Sequence, residues 1–255
     1  MSIQAKRIND IKVDPLVLPK QPKHILGCKL FPQLNANIFI AAPKNSGKTT
    51  VIKKILDECA DKNTHVIIFC GTIHNDPTWK AIIDDLDNRH IKHSDFTSIF
   101  TDNGVNILDA LIKELTSPEE EKQAPAVKIP IMKFAEDDKP DTETKEKKKK
   151  KKKYQSPDYI IIFDDLSAEL KNPMIPKLMK IQRHFSSKII ISSQSYIDCD
   201  PRVRNGNLDY LLLFRNIPDH VLDRIYEEQS IPMNIEMFKK LYYHATKKKI
   251  SFFIH

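Results

Sequence analysis

Ala42-Pro43-Lys44-Asn45-Ser46-Gly47-Lys48-Thr49, followed by Thr50, separates an apolar run from an amphipathic one. The run before it, Asn37–Ala42 (NIFIAA), reads as a buried strand. The stretch after it, Gly47 to about Ala60, reads as a helix. A strand-to-helix turn of this composition fits the phosphate-loop pattern GxxxxGK[ST] at every defined position but the first, where Ala42 stands for Gly. Backbone N–H groups of such a turn converge on phosphate oxygens, and the helix N-terminus adds its positive dipole end. Gly47 allows close backbone approach, Lys48 would bridge the β- and γ-phosphates of ATP, and the Thr49 hydroxyl would reach Mg2+. Residues 42–50 together form the candidate nucleotide-binding segment. The bland alternative is a chance capping sequence at a helix start.

Outward from this loop, short apolar runs alternate with helical spacing. His65–Cys70, Tyr159–Phe163, Lys188–Ser192 and Tyr210–Phe214 read as further strands, with a last one at Ile250–Ile254. Helices are expected at Pro77–Asp87, Asn106–Leu115, Pro173–His184, Pro218–Gln229 and Asn234–Tyr243. Continuously apolar strands need both faces covered. The sequence therefore predicts a three-layer α/β fold with a mostly parallel central sheet.

Two further strand ends carry polar chemistry. Tyr159–Phe163 runs into Asp164-Asp165, the form of a Walker B element. Asp164 would hold Mg2+, and Asp165 is placed to orient or deprotonate an attacking water. Lys188–Ser192 runs into Ser193-Gln194, and Gln194 is the candidate sensor of the γ-phosphate or positioner of water. Ordinary turn residues are the plain alternative at both places, but ligands of open α/β sheets gather at the carboxyl edge of the strands.

The net charge of +7 arises from 41 Lys+Arg against 34 Asp+Glu, and it is local. Lys145 to Lys153 holds eight Lys and one Glu, leaving 33 basic and 33 acidic residues elsewhere. A generally basic surface therefore does not follow from the net charge. The tract lies in a Pro-, Glu- and Lys-rich stretch of about 116–156 that reads as a flexible surface insertion. Its lysines could contact phosphates of duplex DNA or simply solvate the loop. Four cysteines, Cys28, Cys59, Cys70 and Cys199, have no metal spacing and read as free thiols in a reducing compartment. No apolar run approaches membrane-spanning length, and the N-terminus lacks a signal-peptide stretch. A soluble, intracellular protein is expected, not a secreted one. His90 and His93 lack further ligands for a metal, and Asp198-Cys199-Asp200 reads as a loop.

APKNSGKTT (42–50), IIIFDDL (160–166), IQRHFSSKIIISSQ (181–194) and LDYLLLFR (208–215) together resemble the additional-strand class of P-loop ATPases. More narrowly, they are similar to the FtsK–HerA superfamily in its branch of DNA-packaging ATPases of poxviruses and other large DNA viruses, with a virophage type also in view. The resemblance spans roughly residues 36–217. It implies ATP and Mg2+ as cofactors, double-stranded DNA as partner, a homo-oligomeric ring, usually a hexamer, and capsid proteins as further partners, with no membrane. The expected setting is a viral factory in the host cytoplasm or the virion. In such rings a neighbouring subunit supplies an arginine finger; Arg183 is the first candidate, with Arg202, Arg204 and Arg215 in reserve. On this reading residues 1–35 form an N-terminal extension and 36–255 the ATPase domain. Lys48, Asp165, Gln194 and Arg183 are its catalytic candidates, and Thr49 and Asp164 its metal ligands. A P-loop kinase of a small molecule or nucleotide, and a non-hydrolysing ATP-gated assembly protein, are the competing readings.

Overall fold

The computed structural model describes residues 24–116, 154–166 and 168–247 in full, and residues 252–254 as a backbone strand. Residues 1–23 and 117–153, with most of the charged insertion and the whole Lys145–Lys153 tract, lie outside the described residues; the end of the expected insertion is ordered, since Leu26 N donates to Gln155 O at 2.8 Å and Ser156 is buried. Seven strands form one sheet: β1 (Ala36–Ala41), β2 (His65–Cys70), β3 (Lys92–Phe96), β4 (Tyr159–Asp164), β5 (Ser187–Ser193), β6 (Tyr210–Phe214) and β7 (Phe252–Ile254). Their order is β3-β2-β4-β5-β1-β6-β7. The first six are parallel, and β7 closes the edge antiparallel to β6. β5 is interposed between β1, which feeds the phosphate loop, and β4, which carries the paired aspartates.

Both sheet faces are covered, which explains the unbroken apolar runs. On one face Ile38, Ile40, Ile160, Ile162 and Ile190 meet helices α1 (Lys48–Cys59) and α2 (Pro77–Asn88) through Ile52, Ile55, Trp79 and Ile82. On the other, Phe39, Phe163, Ile191 and Leu213 meet α3 (Ile107–Thr116), α4 (Met174–Ile181), α5 (Pro201–Arg204), α6 (Asp219–Glu228) and α7 (Ile235–Ala245). The alternation along each strand is the two-residue period of the pleat. α2 shows how local sequence sets an element. Asp76 accepts a hydrogen bond from Thr78 N at 2.7 Å, Pro77 fixes the first turn, and Trp79, Ile82 and Leu86 fall on one buried face.

Three features differ from the sequence reading. Strand β3 (KHSDF) has no apolar run; it is an edge strand paired only with β2, half-exposed, so its polar residues leave no periodic signal. The helix expected over 173–184 stops at Ile181 and tightens into a 3-10 turn, Gln182–Phe185, that ends on left-handed Ser186. Asp198, read as part of a loop at 198–200, instead ends a 3-10 turn, Tyr196–Asp198; Cys199 and Asp200 do form the link, and Asp200 caps α5. Residues 24–35, assigned from sequence to the N-terminal extension, pack on the domain. Phe31 is 2% exposed within the α1 face, and Lys188 Nζ donates to Gln33 O at 2.5 Å.

Candidate functional site

The parallel sheet sends the ends of β1, β4 and β5 to one edge. Register pairs Ala41 with Ser193 and Asp164 with Ser192, so the loop, the aspartates and Gln194 converge there. The loop continues the ladder by one residue, since Ala42 N donates to Ser193 O at 3.0 Å. Ala42 is fully buried and is not among the positive-φ residues, so this position does not need the glycine of the general pattern. Asn45 (φ 59°) and Gly47 (φ 97°) are left-handed, a backbone form in which successive N–H groups can converge on an anion. Any side chain at Gly47 would be strained by that φ although the space around it is open. Ser46 Oγ donates to Pro43 O at 2.5 Å and closes the turn on itself.

No side chain caps α1, and its first turn has no acidic residue, so its leading N–H groups remain for a ligand. Lys44, Asn45 and Thr50 are exposed, and Pro43, Ser46 and Thr49 half-buried. Lys48, the first helical residue, is buried, and its Nζ donates to Asp165 Oδ1 at 2.5 Å. Asp165 stands at φ 50°, a left-handed conformation that costs a non-glycine residue about 1–3 kcal/mol and recurs at functional sites.

Asp164 is only 2% exposed. Its Oδ2 accepts from Trp79 Nε1 at 3.0 Å, while Oδ1 is buried with no hydrogen-bond partner. Burial pushes the carboxyl up from its usual range, and the Ser192 hydroxyl and Lys48 ammonium only partly oppose this. A desolvated carboxylate oxygen with nothing bound to it fits a divalent cation, which would restore the charged form. Thr49 adds a hydroxyl at the start of α1, so the two sequence-assigned ligands suit Mg2+ by chemistry.

Asp165, Ser193, Gln194 and Asp198 line a cleft beside this pair. Gln194 is exposed toward it, whereas Ser193 is buried and donates to Asp198 Oδ2 at 2.8 Å. Lys48, Asp164, Asp165 and Gln194 are thus gathered at one edge. Arg183 is not among them. It is exposed on the turn before β5, at the opposite end of a seven-residue strand, roughly 20 Å at about 3.3 Å per residue.

The reserve arginines divide. Arg204 is excluded as a mobile finger: it is 2% exposed, grips Glu228 through Nη1 at 2.9 and 2.7 Å, and lies over the Tyr196 ring at 4.9 Å. Arg202 is held by its own Asp200 at 2.8 and 3.0 Å. Arg215 follows β6 at the same edge as the phosphate loop and is half-buried. Sequence reasoning missed Trp79 as the partner of Asp164, Ser192 as its neighbour and Asp198 as a wall of the cleft. Only the apolar spacing of α2 singled out Trp79, and that signal concerns packing. The four cysteines are free, and burial pushes the Cys199 thiol up to about 12, which leaves it unreactive. No group of three potential ligands that could hold a metal ion occurs among the described residues.

No protein-family model matches the chain, and no curated protein does. Solved structures do match. The genome packaging NTPase B204 from Sulfolobus turreted icosahedral virus 2, in complex with AMP, is 15% identical with a TM-score of 0.52, over 88% of this chain and 93% of that one. The same NTPase in complex with ATP-gammaS matches at 15% identity and a TM-score of 0.51, over 87% and 92%. At this identity the likeness concerns the fold, and the chain has the α/β fold of a P-loop NTPase.

Proposed function

We propose that the chain is an ATP-hydrolysing DNA translocase that packages a double-stranded viral genome into a capsid. The observation that carries the hydrolytic part is the pairing of Lys48 with Asp165 at 2.5 Å beside the unpartnered oxygen of Asp164. An ammonium for the phosphates, a carboxylate for water and a free ligand for a cation then share one sheet edge. In this reading Lys48 turns from Asp165 to the β- and γ-phosphates, and the α1 N-terminus takes the phosphate charge. Thr49 and Asp164 would hold Mg2+, which would supply further charge neutralisation when bound. Asp165 accepts the proton of water, and Gln194 orients it. Arg183 reaches the γ-phosphate of a neighbouring subunit in a ring, a hexamer by preference, because its own strand holds it at the far edge.

The packaging part is supported by the fold shared with a viral genome packaging NTPase over most of both chains. Double-stranded DNA and capsid proteins are the proposed partners, in a viral factory or the virion. No described helix is long and apolar enough to cross a membrane. The test is ATP hydrolysis by the purified chain at several salt concentrations, with and without duplex DNA, beside a native mass measurement. DNA-stimulated turnover by a ring is expected. Hydrolysis with neither DNA stimulation nor any oligomer would sink the translocase. Phosphate transfer to a nucleoside or nucleotide would install a kinase instead, and ATP binding without turnover an assembly protein.

A further inference from the structure

Asp198 ends the 3-10 turn that leaves β5, and one of its oxygens does two things. Oδ2 accepts from Ser193 Oγ at 2.8 Å and from Ser195 N at 3.1 Å. These are the residues on either side of Gln194. The turn is locked in return: Asp198 N donates to Ser195 O at 3.2 Å, and Ser195 Oγ accepts from Ile197 N at 3.4 Å. Beneath it Tyr196 is 1% exposed and packs edge-on against Phe39 of β1, with ring centroids 5.8 Å apart. On the other side Ser193 O receives Ala42 N, so the clamp is continuous with the phosphate loop. Gln194 itself is exposed into the cleft that Asp165 and Asp198 also line.

We infer that Asp198 is a positioning residue: it ties the Ser193 hydroxyl before Gln194 to the Ser195 backbone after it, and so fixes the direction in which the Gln194 amide meets the reacting water. The role in turnover rests on the proposed hydrolytic function; the strap itself does not. The bonds need an acceptor oxygen and not a negative charge, so an asparagine can replace the carboxylate while an alanine cannot. This separates positioning from a role as a second general base.

The test uses the full chain with Asp198→Ala, Asp198→Asn, Gln194→Ala and the Asp198→Ala/Gln194→Ala double variant. Asp198→Ala is expected to lower kcat by about 10²-fold, the scale of a misplacement near 1 Å, with KM for ATP little changed. Asp198→Asn should recover most of that loss. The double variant should be no slower than Gln194→Ala alone, because the strap acts only through Gln194. Losses that multiply, or an Asp198→Asn as slow as Asp198→Ala, would overturn the inference. Amide hydrogen exchange at Ser195 gives a readout free of activity: it should rise in Asp198→Ala and stay near wild type in Asp198→Asn. Unchanged protection in Asp198→Ala would overturn the strap. If the wild type hydrolyses nothing, the functional reading fails while exchange still decides the strap. Should Asp198→Ala not fold, Ser193→Ala removes one of the two bonds and must show a smaller loss, again absent in the Gln194→Ala background.

Discussion

Lys48 Nζ lies 2.5 Å from Asp165 Oδ1, so the lysine of the phosphate loop and the second Walker B aspartate neutralise each other. The lysine side chain is 8% exposed and the aspartate 35%. The ammonium is thus held in a buried position, and its counter-ion is the more open of the two. On the proposed function, a polyphosphate would compete for the same ammonium, and its arrival would free the carboxylate to act on water.

Asp165→Asn removes the competing charge and the base together. Binding of a non-hydrolysable ATP analogue should be as tight as in the wild type or tighter, while kcat falls by about 10²–10⁴. Calorimetric titration and phosphate release measure the two arms. Weakened binding with turnover intact would contradict the assignment. Lys48→Ala should abolish hydrolysis.

Asp164 predicts a pH-dependent stability. Its folded-state pKa is raised, chiefly by burial. Between the unfolded value near 3.9 and the raised value, the folded chain holds the extra proton. That contribution is full below the unfolded value and is lost as pH rises through the folded one. Asp164→Asn should therefore flatten the stability profile over this interval and match or exceed the wild type at neutral pH without Mg2+, while Mg2+-dependent hydrolysis is lost. Chemical denaturation from acid to neutral pH would check the sign.

Trp79→Phe deletes the donor to Asp164 Oδ2 and leaves both oxygens of a buried carboxyl without a partner. A cost of about 1–3 kcal/mol is expected in urea denaturation. A neutral outcome would show that the indole only fills space.

For the arginines, Arg183→Ala should cut hydrolysis by about 10³–10⁵ without unfolding the chain. Mixing Arg183→Ala with Lys48→Ala subunits should restore part of the activity, since some interfaces pair an intact lysine with an intact neighbouring arginine. No recovery in a mixed ring would remove Arg183 from the trans role. Arg204→Ala should instead destabilise the fold by about 1–3 kcal/mol, because Glu228 loses its buried partner and keeps only the exposed Arg224 at 2.8 Å.

The amino-acid sequence by itself determined the features that rest on local rules. Apolar runs at 37–42, 65–70, 159–163, 188–192 and 210–214 read as strands of a sheet covered on both faces, and the strands lie within a residue of these bounds. Gly47 marks the left-handed turn that opens α1, and Asp164, Asp165 and Gln194 announce themselves as polar residues ending apolar strands. What depends on register between distant segments was decided only by the tertiary structure. The β5 insertion between β1 and β4 joins Lys48 to Asp165 across 117 residues, and Trp79 meets Asp164 across 85. Parallel strands put Gln194 at the edge of the 42–49 loop and Arg183, only eleven residues earlier, at the opposite one. β3 stayed hidden because an edge strand need not be apolar, and Arg204 looked available because sequence does not reveal the glutamate and aromatic ring that bury it. Hydrophobic period and backbone stereochemistry act over a few residues and can be read along the chain; ion pairs and desolvation depend on which strands become neighbours.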